Sequence, residues 1–251
     1  MLITIGSIIN GMSDNQGYKQ RCLERQLIEA VRKSEELTVR SLIKKGASVN
    51  ITYDGDPIVN IASSAGNIKI VDLLILAGAS LESKDKEGRS PLYHAIANAQ
   101  TTMVKHLLQL GASVHNKDRY GETPLHCAVY LKSSLKIVQA LVLNGSVINE
   151  KNSEDFTPLH IACGEKNGES IVEYLLERGA EVQAVAQNQA IPIHYAIDSG
   201  NWKSVGALVE HGINPRVCER YGIYDYLDNL MAYSFDDNKR VNLERIRGLL
   251  F

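Results

Sequence analysis

The stretch from Asp118 to His126 reads Asp-Arg-Tyr-Gly-Glu-Thr-Pro-Leu-His. Aspartate and glycine together are typical of a tight turn, because glycine accepts the positive φ that other residues resist. Thr123 is placed to cap a helix with its hydroxyl group, and Pro124 suits the first helical position, where no N–H is needed. The stretch therefore predicts a hairpin turn followed by a helix that begins at Pro124.

The same order of turn residues and helix-start residues recurs along most of the chain. Ser90-Pro91-Leu92 and Thr157-Pro158-Leu159-His160 repeat the helix start. Two further markers recur every 32 to 34 residues: a glycine followed in most cases by a small residue, and an alanine. The glycines are Gly46, Gly78, Gly111, Gly145, Gly179 and Gly212, and the alanines are Ala30, Ala62, Ala95, Ala128, Ala162 and Ala196. A period of this length indicates a stacked repeat architecture.

Each period carries a second apolar stripe after its first short helix. Ile70, Val71, Leu73 and Leu74 form one such stripe, with spacings of three and four residues that mark the buried face of a helix. The glycine that closes each period is the expected stop of this second helix. The repeat unit is therefore predicted to be turn, helix, helix, and the fold class all-α.

The Thr-Pro-Leu-His box and the Leu-Leu-x-x-Gly-Ala ending resemble those of ankyrin repeats. The resemblance covers roughly residues 20–251 and implies a solenoid of turn–helix–helix units with projecting hairpin loops. Residues 1–19 are predicted to be a flexible N-terminal tail, and either Met1 or Met12 could be the true start. Seven units are predicted, the first and last acting as caps, at about residues 20–51, 52–84, 85–117, 118–151, 152–185, 186–218 and 219–251.

Several units depart from the pattern. The second unit has Pro57 followed by Ile58 at the usual proline position, and Asp155 and Gln189 replace the turn glycine. Ile191 replaces the capping threonine before the proline of the sixth unit. The last three changes should cost about 1 kcal/mol each in turn or cap energy, so the sixth unit is expected to be a softer joint.

Composition sets limits on the function. The formal net charge of −2 predicts no global attraction to nucleic acid or to an anionic membrane. The apolar run at the N-terminus is too short to span a bilayer, and the four cysteines lack zinc-ligand spacing. We expect a reduced protein of the cytoplasm, with the nucleus as the alternative location.

Histidines and cysteines also invite a catalytic interpretation. His126, His160 and His194 occupy the box position, where the resemblance implies that histidine braces the turn and the first helix. His126 and Cys127 are adjacent on a helix and point in different directions, which does not suit a nucleophile and its base. No nucleotide-binding or nucleophile motif is present. An enzyme therefore remains only a weak alternative, with no catalytic residue, cofactor or metal expected.

The resemblance implies that the chain binds another protein through its hairpin tips and the concave surface of its first helices. The function would be that of a scaffold or an inhibitor, and a substrate-recognition adaptor of a ubiquitin ligase is the alternative. The chain is expected to be a monomer on its own. The predicted partner-binding residues are Tyr53, Asp56, Arg89, Arg119, Tyr120, Glu122, Tyr130, Phe156, Asn188 and Tyr221.

Overall fold

The computed structural model describes residues 2–131, 134–233 and 237–250. These residues form helices and one short two-stranded sheet, so the all-α fold class is confirmed. No helix within the described ranges is both long enough and apolar enough to cross a membrane. The chain divides into two compact units, unit 1 (Met1–Ser113) and unit 2 (Val114–Phe251).

Unit 1 consists of three helix pairs and a β-hairpin. Its elements are α1 (Leu2–Arg32), α2 (Glu36–Lys44), β1 (Thr52–Tyr53), β2 (Asp56–Pro57), α3 (Ile58–Ser64), α4 (Ile68–Leu76), α5 (Pro91–Ala97) and α6 (Thr101–Gln109). Apolar residues at helical spacing form the core, since Ile70 and Leu74 of α4 and Leu107 of α6 are completely buried. The predicted stripe thus becomes the buried face of each second helix.

The boundary predicted between residues 19 and 20 falls inside α1, which is helical from Leu2 onward. The expected tail is therefore corrected to the N-terminal part of a helix. Packing supports the C-terminal end of α1, where Leu27, Ala30 and Val31 are buried at spacings of one, three and four residues. A helix anchored in this way extends with one backbone hydrogen bond for each added residue.

The shifted proline of the second unit has a clear structural role. Thr52 pairs with Pro57 and Tyr53 with Asp56 in an antiparallel hairpin. Asp54 and Gly55 form the turn with φ angles of 54° and 93°, as a two-residue hairpin turn requires. Helix α3 then begins at Ile58, with Pro57 at its N-cap position.

Unit 2 contains three regular helix pairs and a helical C-terminal part. Its elements are α7 (Pro124–Tyr130), α8 (Leu135–Leu143), α9 (Pro158–Gly164), α10 (Glu169–Glu177), α11 (Pro192–Asp198), α12 (Trp202–Glu210), α13 (Pro215–Arg220), α14 (Ile223–Tyr233) and α15 (Asp237–Leu250). Leu125, Leu159 and Ile193 lie at the same position of their first helices, and all three are completely buried. The repeat in sequence is therefore a repeat of core positions.

The hairpin turns share one hydrogen-bonding pattern. In the turn from Asn152 to Phe156, the Asp155 N–H donates to the Asn152 carbonyl at 3.1 Å, and the Asn152 N–H donates to the Phe156 carbonyl at 3.0 Å. The Asn152 side-chain oxygen also accepts the N–H groups of Glu154 and Phe156. Asp155 has a φ of 62° and Gln189 a φ of 64°, so both occupy the left-handed conformation that the missing glycines would supply.

The C-terminal part departs from the predicted pattern. The Asn214 side chain accepts the N–H groups of Arg216 and Val217 and starts α13, with Pro215 in the first helical position. The predicted boundary between residues 218 and 219 therefore falls inside a helix, and Tyr221 follows that helix instead of forming a hairpin tip. Helix α15 packs against α12 and α14, an arrangement expected of a closing helix pair.

Candidate functional site

Two box histidines of unit 2, His126 and His194, connect consecutive repeats. The Nδ1 atom of His126 accepts the Thr123 N–H at 3.3 Å, and its Nε2 atom donates to the Phe156 carbonyl at 3.0 Å. His194 repeats this geometry, because its Nδ1 accepts the Ile191 N–H and its Nε2 donates to the Tyr221 carbonyl. The predicted bracing role is confirmed for both histidines.

Burial favours the uncharged form of the box histidines. Burial lowers the pKa of His126 and of His194, and it lowers the pKa of His160 to about 4. A neutral ring can accept at Nδ1 and donate at Nε2 simultaneously, as the bracing geometry of His126 requires. The chemistry of the box is therefore structural.

In unit 1, Asp56, Asp85 and His94 are close enough to share a cation. The buried Asp85 carboxylate, however, already accepts hydrogen bonds from the Arg89 side chain at 2.7 Å, from two backbone N–H groups, and contacts His94 Nε2 at 3.0 Å. Burial raises the pKa of Asp85, but the hydrogen bonds from Arg89 and His94 outweigh that effect and lower it. The cluster is best explained as the brace of the turn that begins at Asp85.

Several predicted tip residues form cation–π contacts or ion pairs with neighbouring side chains. The Arg32 guanidinium lies 4.6 Å from the ring centre of Tyr53, and that of Arg119 lies 4.9 Å from the ring centre of Tyr120. Arg89 is half-buried and forms ion pairs with Asp85 and with Glu87. Of these two tyrosines, Tyr120 is the more accessible, at 55% exposed against 43% for Tyr53.

Unit 2 contains an open cavity of about 300 Å³, which we call the Phe156 pocket. It lies where the turn from Asn152 to Phe156 and the first helices α7, α9 and α11 meet. Aromatic rings and carboxylates dominate its lining. The lining residues are Glu122, Tyr130, Asn152, Glu154, Phe156, His160, Ile161, Gly164, Glu165 and Tyr195.

Phe156 itself is half-buried. Its ring contacts those of His160 and Tyr195 edge to face, with centroid distances of 5.6 Å and 5.4 Å. Such aromatic pairs contribute about 0.5–1.5 kcal/mol beyond their buried area. Phe156 thus packs the wall of the pocket while still lining it.

The surroundings of Glu122 disfavour its ionised form. Burial raises the pKa of Glu122, the carboxylates of Asp118 and Glu154 raise it further, and a hydrogen bond with the Asn152 side chain offsets part of the effect. Like charges close together disfavour the ionised form. A positively charged ligand would relieve this repulsion.

The structure brings together only part of the predicted set. Glu122, Tyr130 and Phe156 line the Phe156 pocket, and Asn188 borders it through a 2.8 Å hydrogen bond to the Tyr195 hydroxyl. Arg119 and Tyr120 lie on the adjacent tip. Tyr53, Asp56 and Arg89 belong to unit 1. The participation of all ten residues in binding stays a prediction.

Tyr195 is the main pocket residue that the sequence analysis missed. It directly follows the box histidine of its repeat, at the position occupied by Cys127 and Ile161 in the two preceding repeats. The change from a small or aliphatic residue to a tyrosine was the available signal. A tyrosine at this position of a first helix places an aromatic ring on the surface where the pocket lies.

Sequence comparison agrees with this architecture. A family profile described as ankyrin repeats in three copies matches residues 59–152 and 131–217, and one described as ankyrin repeats in many copies matches residues 27–75. The first covers more than half of the chain. The chain therefore belongs to the ankyrin-repeat family, and ankyrin repeats indicate a protein–protein interaction module.

Two curated proteins illustrate the similarity. Mouse (Mus musculus) Rabankyrin-5 is 30% identical over 100 residues, covering 35% of this chain and 9% of its own length. The ADP-ribosylation factor GTPase-activating protein AGD4 of Arabidopsis thaliana is 31% identical over 80 residues, covering 32% of this chain and 10% of its own length. The chain thus matches about a tenth of the length of either relative.

Proposed function

We propose that the chain binds a partner protein through the hairpin tips and first helices of unit 2, and that it acts there as a scaffold or an inhibitor. The Phe156 pocket is the observation that carries the proposal. Aromatic residues are among those that anchor protein interfaces, particularly when they line a pocket. Tyr130 is 60% exposed at the end of α7, and Tyr120 lies on the adjacent tip.

Binding is favoured over catalysis by the state of Cys163, a thiol three residues after the box histidine His160. Burial raises the pKa of the Cys163 thiol far above its ordinary value, and a buried thiol in apolar surroundings is inert. The Nδ1 atom of the nearby box histidine, His160, accepts the Thr157 N–H. These side chains therefore serve the repeat fold.

The remaining features of the proposal follow from composition and family. The mixed surface charge suits a protein partner better than nucleic acid, and we propose a monomer located in the cytoplasm or the nucleus. The second candidate is an adaptor that presents a substrate to a ubiquitin ligase. It would need a second binding surface besides the concave surface of unit 2.

A site-specific photo-cross-linker tests the proposed surface. Benzoylphenylalanine replaces Tyr130 in one variant and Leu143, which is 71% exposed at the end of α8, in a control variant. Irradiation in native extract should yield a cross-linked protein only from position 130. The captured protein, prepared pure, should then bind the Tyr130→Ala variant more weakly than wild type.

Two results would contradict the proposal. One is equal cross-linking from positions 130 and 143. The other is unchanged affinity of the purified partner for Tyr130→Ala and Tyr120→Ala variants that retain the circular dichroism spectrum of wild type.

A further inference from the structure

The Phe156 pocket has the size of a subsite for one side chain. Its volume of about 300 Å³ stands at the lower limit of ligand pockets, which span about 300–1,000 Å³. It is open to solvent on one side and lies beside the hairpin tips. An extended segment of a bound protein could therefore place a single side chain in it while its backbone follows the tips.

The lining of the pocket selects a positive charge. Among its described lining residues there are three glutamates and no lysine or arginine. His160, the remaining titratable group with a basic side chain, stays neutral at pH 7 because burial lowers its pKa to about 4. An anionic side chain would meet the carboxylates of Glu122 and Glu154, with no lysine or arginine among the described lining residues to balance it.

The rings select a flat cation with an aliphatic stem. Tyr130, Phe156 and Tyr195 supply aromatic surface to the lining of the pocket. Guanidinium groups stack on aromatic faces and bind carboxylates in a planar fork, whereas an ammonium group is a compact and strongly hydrated charge. The combination of rings and carboxylates therefore matches arginine better than lysine.

Resting on the proposed function, we infer that the Phe156 pocket receives the arginine side chain of an extended segment of the partner protein. The stem packs against Phe156 and Tyr195, and the guanidinium group lies toward the carboxylates of Glu122 and Glu154.

Gly164 keeps the pocket open and provides a blocking variant. It ends α9, lines the pocket and has no positive φ, and an added Cβ atom would lie 3.8 Å from the Cβ atom of Tyr195, an ordinary contact. Alanine therefore fits at this position. The longer side chain of Gly164→Leu would reach into the cavity, and replacing a helical glycine favours the helix.

The probes are three capped amino acids titrated into the full chain labelled with ¹⁵N. They are N-acetyl-arginine N-methylamide, the corresponding citrulline compound, which is neutral and nearly the same shape, and the lysine compound. Arginine should cause saturable shifts of the amide signals of residues that line the pocket. Citrulline should cause none at equal concentration, and lysine should bind at least about fivefold more weakly than arginine.

Variants locate the binding site. A double variant, Glu122→Gln with Glu154→Gln, should weaken arginine binding about fivefold or more, and Gly164→Leu should abolish it. Glu177→Gln, which removes an exposed carboxylate from α10 of the same unit, should leave it unchanged. Each variant is used only if its spectrum shows the wild-type fold outside the pocket.

The outcomes separate this inference from the proposed function. Equal binding of arginine and citrulline, arginine shifts that lie outside the pocket, or tighter binding of lysine would overturn the inference. If arginine binding fails while the cross-linked partner still depends on Tyr130, the proposed function stands and only the arginine subsite is wrong. If partner binding is independent of Tyr130 while arginine binds as described, the subsite stands and the proposed surface for the partner is wrong.

Discussion

Replacing Gln189 with glycine should stabilise the chain, because the backbone at this residue is left-handed. Its φ is 64°, and in two related turns the same position is held by Gly88 and Gly121, with φ angles of 83° and 74°. The Gln189 side chain is exposed, so little packing is lost on its removal. The Gln189→Gly variant tests whether the turn stores strain.

The magnitude follows from two opposing terms. The left-handed region is destabilised by about 1–2 kcal/mol for a residue with a Cβ atom, and glycine has no such penalty. Glycine also has greater conformational freedom in the unfolded chain, which lowers the free energy of unfolding by about 0.4–1 kcal/mol. The net gain should be about 0.5–1 kcal/mol, which corresponds to a rise of about 1–4 °C in melting temperature for a chain of this length.

Two companion variants sharpen the test. Asp155→Gly should give a smaller gain, because aspartate tolerates a positive φ better than glutamine does. Gln183→Gly is the matched control: this exposed residue of unit 2 has no positive φ, so the substitution should lower stability by about 0.4–1 kcal/mol.

Urea unfolding followed by circular dichroism, with all variants measured side by side, provides the comparison. If Gln189→Gly is no more stable than wild type while Gln183→Gly loses the expected amount, the left-handed turn does not carry the strain assigned to it. The same result would remove one of the two grounds for a softer sixth repeat, the other being the loss of the threonine cap at Ile191.

Three further outcomes can be measured with simple variants or reagents. Burial lowers the pKa of His160 from 6.5 to about 4, so between these two pH values the unfolded chain binds a proton at this residue and the folded chain does not. The free energy of unfolding should therefore fall by up to about 3 kcal/mol as the pH is lowered from 6.5 to 4. Urea titrations of His160→Gln should lack this part of the pH dependence. Ellman's reagent should react quickly with one thiol, that of the exposed Cys22, and slowly with the three buried ones, and fast reaction of more than one thiol in the folded chain would contradict this burial. Asn152→Ala should lower the free energy of unfolding by about 1–3 kcal/mol, because its side-chain oxygen accepts two backbone N–H groups; an unchanged urea midpoint would mean that water replaces these bonds at no cost.

The repeat period was sufficient to predict the fold because every local signal agrees with it. Thr123 caps α7 as its position after the turn glycine predicts, and Pro124 takes the first helical position. The exceptions arise where a side chain provides an alternative local structure. Asn214 caps a helix in place of the last hairpin, which could not be distinguished in sequence from the loop asparagine of a regular repeat.

The site was less predictable, because it depends on which side chains the repeats bring together. Glu122, Phe156 and Tyr195 are separated by more than 30 residues each and meet only through the register of the first helices. Arg89 shows the opposite case, since the sequence could not reveal that Asp85 and Glu87 would both pair with it. Residue type therefore identified candidate residues, whereas the packing of the repeats determined which of them share a surface.

The wall of the Phe156 pocket serves both the fold and the proposed binding site, and this limits which variants can report on function. The Phe156 carbonyl accepts the bond from His126, and its ring packs against His160 and Tyr195. Truncating Phe156 would loosen the turn and the pocket together, so a loss of binding would have two causes. Tyr130 stands at the exposed end of α7, and changes there separate recognition from stability.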